Sequence, residues 1–224
     1  MKINKEEMIE RGMHLGHKTS KLHPRMEDFV VGIKNTIHII DLDQTKEMFE
    51  KALNYIEGIV KEKGKIIMIG TKSPLRHLVR EKAEEAEMPY VTERWIGGTF
   101  TNFNVISKRA KYFKDLKQEK KDGKFAKYTK KEQLVKDKEL FNLDLKFSGI
   151  QNLEKVPEAV FICDLVKDDL ALEEAKKQGI KIIAIVDTNA DISKVDYPIT
   201  ANDDAVSSVS YILDKVVEVI NKSK

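Results

Sequence analysis

The sequence predicts an α/β protein in which helices cover both faces of a parallel β-sheet and a helical hairpin is inserted into one connection. Segments of helical periodicity alternate with three continuous apolar runs, at residues 65–70, 159–163 and 181–186. Such runs are typical of strands buried on both faces, as in a parallel sheet. A lysine-rich segment without any strand pattern, at residues 101–147, interrupts this alternation.

Before the interruption, the pattern predicts three helices and four strands. Asp41 or Asp43 caps the second helix, and Ser73 caps the third with Pro74 in its first turn. Residues 14–25 combine His, Lys and Arg with Gly, Ser and Pro, which predicts a loop. The helices cover residues 5–13, about 41–63 and 73–87, and the strands cover residues 29–33, 36–40, 65–70 and 89–92.

The interrupting segment predicts two helices joined by a short loop. Helical spacing continues to about residue 121, where Asp122 and Gly123 break it, and Thr129 with Glu132 forms a capping box for the second helix. That helix has an apolar stripe at heptad-like spacing, typical of a coiled coil, at Leu134, Phe141 and Leu145. We therefore predict an antiparallel coiled-coil hairpin at residues 101–147 and a discontinuous α/β body at residues 1–100 and 148–224.

After the hairpin, strands and helices alternate again. Strands are predicted at residues 159–163, 181–186 and 197–200, and Gly179 ends a helix that starts near residue 168. Asn202, Asp203 and Asp204 are expected to cap the last helix.

The residues at 94–103 join body and hairpin and contain the only tryptophan of the chain. Gly97 and Gly98 tolerate unusual backbone angles, so they suit an abrupt change of direction. We expect Trp95 to anchor the hairpin by packing, Asn102 to cap its first helix and Arg94 to contact RNA or a body carboxylate. The stretch is therefore predicted to be a fixed elbow, since a wandering arm would lose affinity to ordering entropy.

Charge is distributed unevenly along the chain. Residues 105–147 contain 14 lysines and arginines against 7 acidic residues, whereas the remainder contains 26 against 30. The hairpin is thus strongly basic and the body mildly acidic, which indicates a polyanionic partner for the hairpin. Lysines neutralise phosphates, and interleaved aromatic residues can stack on exposed bases. A solvated lysine face is the alternative explanation.

Enzyme motifs are missing from the sequence. Gly70, Thr71 and Lys72 precede a helix, but neither a dinucleotide-binding nor a phosphate-loop pattern accompanies them. No nucleophile elbow is present, and Cys163 lies within an apolar strand rather than at its end. The single cysteine favours a reducing compartment, and the charged start of the chain resembles no signal peptide. We expect a cytoplasmic protein without a cofactor.

A metal site is a second hypothesis. His14, His17 and His23 have ligand-like spacing, and Asp187, Asp203 and Asp204 follow strands whose ends commonly bind ligands. Capping and hydrogen bonding are the more ordinary roles of such residues, and we favour them.

Five motifs, in the same order over nearly the whole chain, resemble the S-two family of small ribosomal subunit proteins. They are Gly12-Met13-His14-Leu15-Gly16-His17, Gly70-Thr71-Lys72, Arg94-Trp95-Ile96-Gly97-Gly98 with Thr101-Asn102, Thr129-Lys130-Lys131-Glu132, and Asp187-Thr188-Asn189 with Asn202-Asp203-Asp204-Ala205. Thr200-Ala201 departs from the family, which usually has Pro-Gly there.

The resemblance implies a flavodoxin-like three-layer α/β/α body with a coiled-coil insert. It also implies a non-enzymatic bacterial ribosomal protein at the head–body junction of the small subunit. Expected partners are small-subunit rRNA, neighbouring ribosomal proteins and, in many bacteria, the mRNA-binding protein S-one. The residues expected to bind RNA are His17, Lys18, Lys21, Arg25, Lys34, Arg94, Lys108, Arg109, Lys111, Lys114, Lys117, Lys121, Lys124, Lys127, Lys130 and Lys131. Alternatives are a nucleotide-dependent enzyme on the same fold and an RNA-binding factor acting off the ribosome.

Overall fold

Two sheets of different kinds build the body in the computed structural model, which describes residues 3–224. The smaller sheet is antiparallel and contains β1 (Leu15–Lys18), β2 (Val30–Lys34) and β3 (Ile37–Ile40), in the order β1-β3-β2. The larger sheet is parallel and contains β4 (Ile66–Ile69), β5 (Tyr90–Val91), β6 (Ala159–Ile162), β7 (Lys181–Val186) and β8 (Tyr197–Thr200). Its order, β5-β4-β6-β7-β8, is the flavodoxin-like order with a topological switch point between β4 and β6.

Helices cover both faces of the parallel sheet, which confirms the predicted three-layer fold. They are α1 (Lys5–Glu10), α2 (Leu42–Lys61), α3 (Arg76–Glu85), α4 (Phe103–Lys121), α5 (Lys130–Phe147), α6 (Asp169–Gln178) and α7 (Val206–Ser223). None of the helices within residues 3–224 is long and apolar enough to cross a membrane.

The strand side chains alternate between the two faces. Met68 and Phe161 pack with α2, α3 and α7 on one face, whereas Ile67 and Val160 pack with α6 and the hairpin on the other. All four positions of β4 and all four of β6 are buried, as the continuous apolar runs predict.

Local sequence signals explain several helix ends. The Asp41 side chain accepts hydrogen bonds from the backbone N–H groups of Asp43 and Gln44, so it caps α2 as predicted. Gly179 has φ +67° and ends α6, as also predicted.

Two predicted caps are wrong. Ser73 opens a short 3-10 turn before α3 and its side chain makes no capping hydrogen bond. The last helix begins at Val206, because the Asn202 side chain accepts from the N–H groups of Asp204 and Ala205 and holds a turn that delays the helix.

Within the segment predicted to be a loop at residues 14–25, the structure contains β1 instead of irregular chain at Leu15–Lys18. Leu15 and Lys18 pair with Ile39 and Ile37 of β3. Short-range patterning did not reveal this strand because Gly16 and His17 interrupt the apolar alternation, and the pairing partner lies more than 18 residues away.

The hairpin fills the connection between β5 and β6 and consists of α4 and α5. Gly123, with φ +71°, turns the chain after α4, and the predicted capping box of Thr129 and Glu132 is confirmed. Ile106, Phe113 and Leu116 of α4 are buried, and the apolar contacts continue without a break into the body.

The apolar stripe predicted for α5 does not pack against α4, so this prediction is wrong. Leu134, Phe141 and Leu145 are 70%, 64% and 43% exposed, whereas Leu143 and Phe147 are buried. Leu140, Leu143 and Phe147 form a second apolar stripe at helical spacing, and this stripe packs inward. The sequence analysis identified only the first stripe, and helical spacing is equally compatible with the second, since only the partner helix determines which one is covered.

Candidate nucleic-acid interface

The hairpin presents most of its predicted RNA-binding residues to solvent. All of them are exposed apart from the half-buried Lys117. Two are paired with acids: Lys117 Nζ lies 3.6 Å from an Asp144 carboxylate oxygen, and Lys124 Nζ lies 3.2 Å from one of Asp122. Arg109 lies over the Tyr112 ring instead, at 5.5 Å from its centroid.

The other hairpin lysines of the predicted set have no carboxylate within 4 Å among residues 3–224. We call them the unpaired lysines, and their positive charge is available to a polyanion. They are Lys108, Lys111, Lys114, Lys121, Lys127, Lys130 and Lys131.

A cleft of about 570 Å³ lies at the base of the hairpin, between α4 and the loop after α5. Lys108, Lys111 and Lys114 line one side, and Gln151 and Asn152 line the other. Lys114 Nζ donates to the Asn152 side-chain oxygen at 3.3 Å. The carboxylates of Asp115 and Glu154 also line the cleft, so the three lysines leave it with a small positive excess that favours a phosphodiester backbone.

The predicted basic residues near the start of the chain separate into two environments. Lys18, Lys21 and Lys34 are exposed on or beside the antiparallel sheet. Arg25 is also exposed, but its guanidinium lies 3.3 Å from an Asp191 carboxylate oxygen and donates to the Ser193 hydroxyl. His17 is half-buried among carboxylates and is less available to RNA than the exposed lysines.

The elbow is built around a residue that the sequence analysis missed, Glu174 of α6. Its carboxylate accepts hydrogen bonds from the Gly98 backbone N–H at 2.7 Å and from Trp95 Nε1 at 3.2 Å. The Trp95 ring packs edge-on against Phe100, and Gly98 has φ +93°. The elbow is therefore held by polar as well as apolar contacts, and its fixed direction stays a prediction.

The two ends of the elbow differ from the sequence predictions. Asn102 occupies the position before α4, but its side chain makes no capping hydrogen bond, so its predicted capping role is wrong. Arg94 is exposed and forms no ion pair within the described residues, so the body carboxylate expected for it is not found. It borders a cleft that also contains Arg76, Glu93 and Lys167.

A second missed residue, Lys72, lies at the switch point of the parallel sheet. Its Nζ lies 2.8 Å from Asp164, 3.0 Å from Asp203 and 2.6 Å from Asp204. Burial opposes its charge, but the hydrogen bonds to these carboxylates raise the pKa of Lys72 well above its usual range. A permanent ammonium group thus occupies the crevice in which ligands of such sheets commonly bind.

His17 joins the same group of charges. Its Nδ1 lies 3.1 Å from Asp187 and its Nε2 lies 3.3 Å from Asp204. The hydrogen bond to Asp187 raises the pKa of His17, and burial with the neighbouring Asp164 and Asp187 raises the pKa of Asp203 to about 7.

Three of the residues predicted to bind a metal ion lie close together. Ligand atoms of His17, Asp187 and Asp203 lie within 4.8 Å of one another, which suits a divalent ion. His14, His23 and Asp204 lie outside that group, and the Lys72 ammonium already supplies positive charge to Asp203. A metal site would therefore have only these three protein ligands, and the metal hypothesis stays untested.

The missed residues gave only weak signals in the sequence. Glu174 is an acid on the apolar face of a helix, between Leu172 and Ala175, and that placement marks a buried charge that needs partners. Lys72 belongs to the Gly70-Thr71-Lys72 motif, but nothing in the local sequence indicated its ion pairs, because its three carboxylates lie far away in the sequence.

Comparison with known proteins identifies relatives along nearly the whole chain. The family described as ribosomal protein S2 matches residues 8–223. The small ribosomal subunit protein uS2 of Buchnera aphidicola subsp. Acyrthosiphon pisum, strain Tuc7, is 40% identical over 220 residues, which cover 98% of this chain and 90% of that protein. The protein of the same name from strain 5A gives the same values.

Proposed function

Since this chain belongs to the ribosomal protein S2 family, in its bacterial type, and is thus a structural constituent of the small ribosomal subunit, we propose that its hairpin binds rRNA through the unpaired lysines. The family is a structural, non-enzymatic class.

The observation that carries the proposal is the contrast in pairing among the hairpin cations. Seven lysines of the predicted set are exposed without an acidic partner among residues 3–224, and three of them line the basal cleft. Lysine in such a position gains free energy from phosphate by releasing condensed counterions. The high proportion of lysine favours contact with the backbone rather than reading of bases.

The body adds a smaller number of contacts to rRNA and also contacts neighbouring proteins in this proposal. Lys18, Lys21, Lys34 and Arg94 are exposed and add contacts to rRNA, while Arg25 serves RNA only if it leaves Asp191. His17 stabilises the body through Asp187. Neighbouring ribosomal proteins pack on the remaining surface, at the head–body junction of the cytoplasmic subunit, and the mRNA-binding protein S-one is a further partner.

The experiment replaces Lys121, Lys127 and Lys131 together with glutamate. Association with small subunits that lack this protein is measured by co-sedimentation over a range of salt concentrations. We expect weaker association, and a slope of log K against log salt that is smaller by about 0.7–0.9 for each phosphate that the variant no longer neutralises.

The matched control reverses three exposed lysines of the body, Lys51, Lys63 and Lys177. Its change in net charge is identical, so a long-range effect of charge alone would weaken both variants equally. Equal salt slopes for the two variants would contradict the assignment of the contact to the hairpin. A variant of the hairpin that binds like the unchanged protein would contradict the proposal itself.

A further inference from the structure

The carboxylate of Glu174 is almost enclosed by donors from the elbow, although the side chain belongs to helix α6 of the body. Glu174 is only 5% exposed. Besides Gly98 N–H and Trp95 Nε1, its oxygens accept from the backbone N–H groups of Phe100 at 3.0 Å and Thr101 at 3.3 Å. The Thr101 hydroxyl donates a further hydrogen bond at 3.3 Å.

We propose that Glu174 is the positioning residue that fixes the direction of the basic hairpin, by serving as the internal anion of the turn at residues 95–101. The turn leads directly into α4, which starts at Phe103. Each hydrogen bond therefore ties the first helix of the hairpin to the body. The benefit of this for RNA binding rests on the proposed function, whereas the fixed direction itself does not.

A carboxylate suits this position better than any neutral side chain. Two carboxylate oxygens accept about four hydrogen bonds in total, which is close to the number of donors that converge here. Glutamine has the same shape but presents an NH₂ group, so one side of the turn would meet donor against donor. Burial opposes the charge of Glu174, yet the hydrogen bonds from Gly98, Phe100 and Trp95 outweigh burial and lower the pKa of the carboxyl.

The backbone of the turn is shaped to deliver these donors. Gly98 adopts φ +93°, a conformation that other residues rarely take, and its N–H donates to Glu174. The Gly98 carbonyl then accepts from Asn102 N–H at 2.8 Å, which closes the turn before α4. The glycine thus serves a hydrogen-bonding arrangement as well as a change of direction.

The second helix of the hairpin has a separate attachment to the body. Gly149, just after α5, lies so close to Tyr90 of β5 that an added Cβ would be 2.2 Å from the Tyr90 carbonyl oxygen. Phe147 and Ile150 are buried beside it. Without the Glu174 carboxylate, the hairpin should therefore stay attached through α5 but vary in direction.

The test measures the direction of the hairpin in the full chain. Spin labels at Ala126→Cys near the hairpin tip and Lys51→Cys on α2 report the distance between the two by pulsed electron paramagnetic resonance. Both sites are exposed, and the native Cys163 is fully buried, so it stays unlabelled. We expect one narrow distance distribution with Glu174 present and a broad one with Glu174→Gln.

The matched control is Glu173→Gln, which removes the same charge from the exposed neighbouring position of α6. It should leave the distribution narrow. Glu174→Asp provides a second variant that keeps the charge but shortens its reach, and its distribution should be intermediate. A narrow distribution for Glu174→Gln would overturn the proposal, and so would an equal broadening with Glu173→Gln.

Subunit association separates this inference from the proposed function. We expect Glu174→Gln to bind small subunits on the order of tenfold more weakly, because the hairpin must then be ordered on binding. A broad distribution with unchanged association would uphold the role of Glu174 in direction and count against RNA binding by the hairpin. Weakened association of the lysine variant together with a narrow distance distribution for Glu174→Gln would support RNA binding by the hairpin and contradict the role of Glu174 in its direction.

Discussion

Lysine has opposite roles in two regions of this molecule. At the switch point of the sheet, Lys72 is 22% exposed and contacts three carboxylates. On the hairpin, seven lysines of similar intrinsic chemistry are exposed and contact no acid within the described residues. The comparison teaches that surroundings, and not residue type, determine whether a cation stabilises the fold or remains available to a partner.

The largest loss of stability is expected when Lys72, the paired lysine of the switch point, is replaced. Lys72→Met removes the ammonium group from between Asp164, Asp203 and Asp204, and protonation of Asp203, whose pKa is about 7, offsets part of the loss. We expect the free energy of unfolding to fall by about 3 kcal/mol. Urea unfolding at neutral pH measures it. Lys121→Met, on the exposed side, should change it by less than about 0.5 kcal/mol. Similar losses for Lys72→Met and Lys121→Met would contradict the distinction between stabilising and available lysines.

The two apolar faces of the hairpin should differ almost as strongly. Phe113→Ala opens a cavity under a fully buried ring, and we expect a loss of roughly 3 kcal/mol. Phe141→Ala removes a ring that is 64% exposed, so its effect should stay within about 0.5 kcal/mol. Thermal and urea unfolding of both variants test this. A larger loss for Phe141→Ala would restore the inner face predicted from the sequence.

The junction between the two regions should show a pH-dependent stability. The pKa of Glu174 is lowered by its hydrogen bonds, so its contribution is present above the unfolded pKa and is lost as the pH falls through the folded one. We expect Glu174→Gln to cost about 2 kcal/mol at pH 7 and progressively less as the pH falls below 4.5, the ordinary pKa of a glutamate carboxyl. Urea titrations at several pH values measure the difference. A cost that is independent of pH would show that shape rather than charge matters.

The smallest expected effect concerns the paired lysines of the hairpin. Lys124 and Asp122 are 3.2 Å apart, with side chains 54% and 38% exposed. Solvent screens such a pair, so Lys124→Met should change the free energy of unfolding by less than about 0.5 kcal/mol. Differential scanning calorimetry beside Lys72→Met checks this. A loss comparable to that of Lys72→Met would mean that hairpin cations also stabilise the fold.

Much of the fold could be predicted because its signals are local. Continuous apolar runs marked β4, β6 and β7, and the capping box of Thr129 and Glu132 marked the start of α5. The strand β1 and the inner face of α5 could not be predicted in the same way. Both depend on a partner segment, and the sequence of either segment alone is compatible with another arrangement.

The sequence by itself determined the helices and every strand except β1, the segregation of positive charge into the hairpin and the motifs shared with the ribosomal protein S2 family. Periodicity, composition and motif are properties of neighbouring residues, which is why these features could be predicted. Only the tertiary structure decided which lysines are paired, which stripe of α5 is covered and which residue holds the elbow. These depend on contacts such as Glu174 with Gly98 and Lys72 with Asp203, whose members are 76 and 131 positions apart. Chain folding alone brings such residues together, and the strength of a charge interaction is set by that distance and by burial.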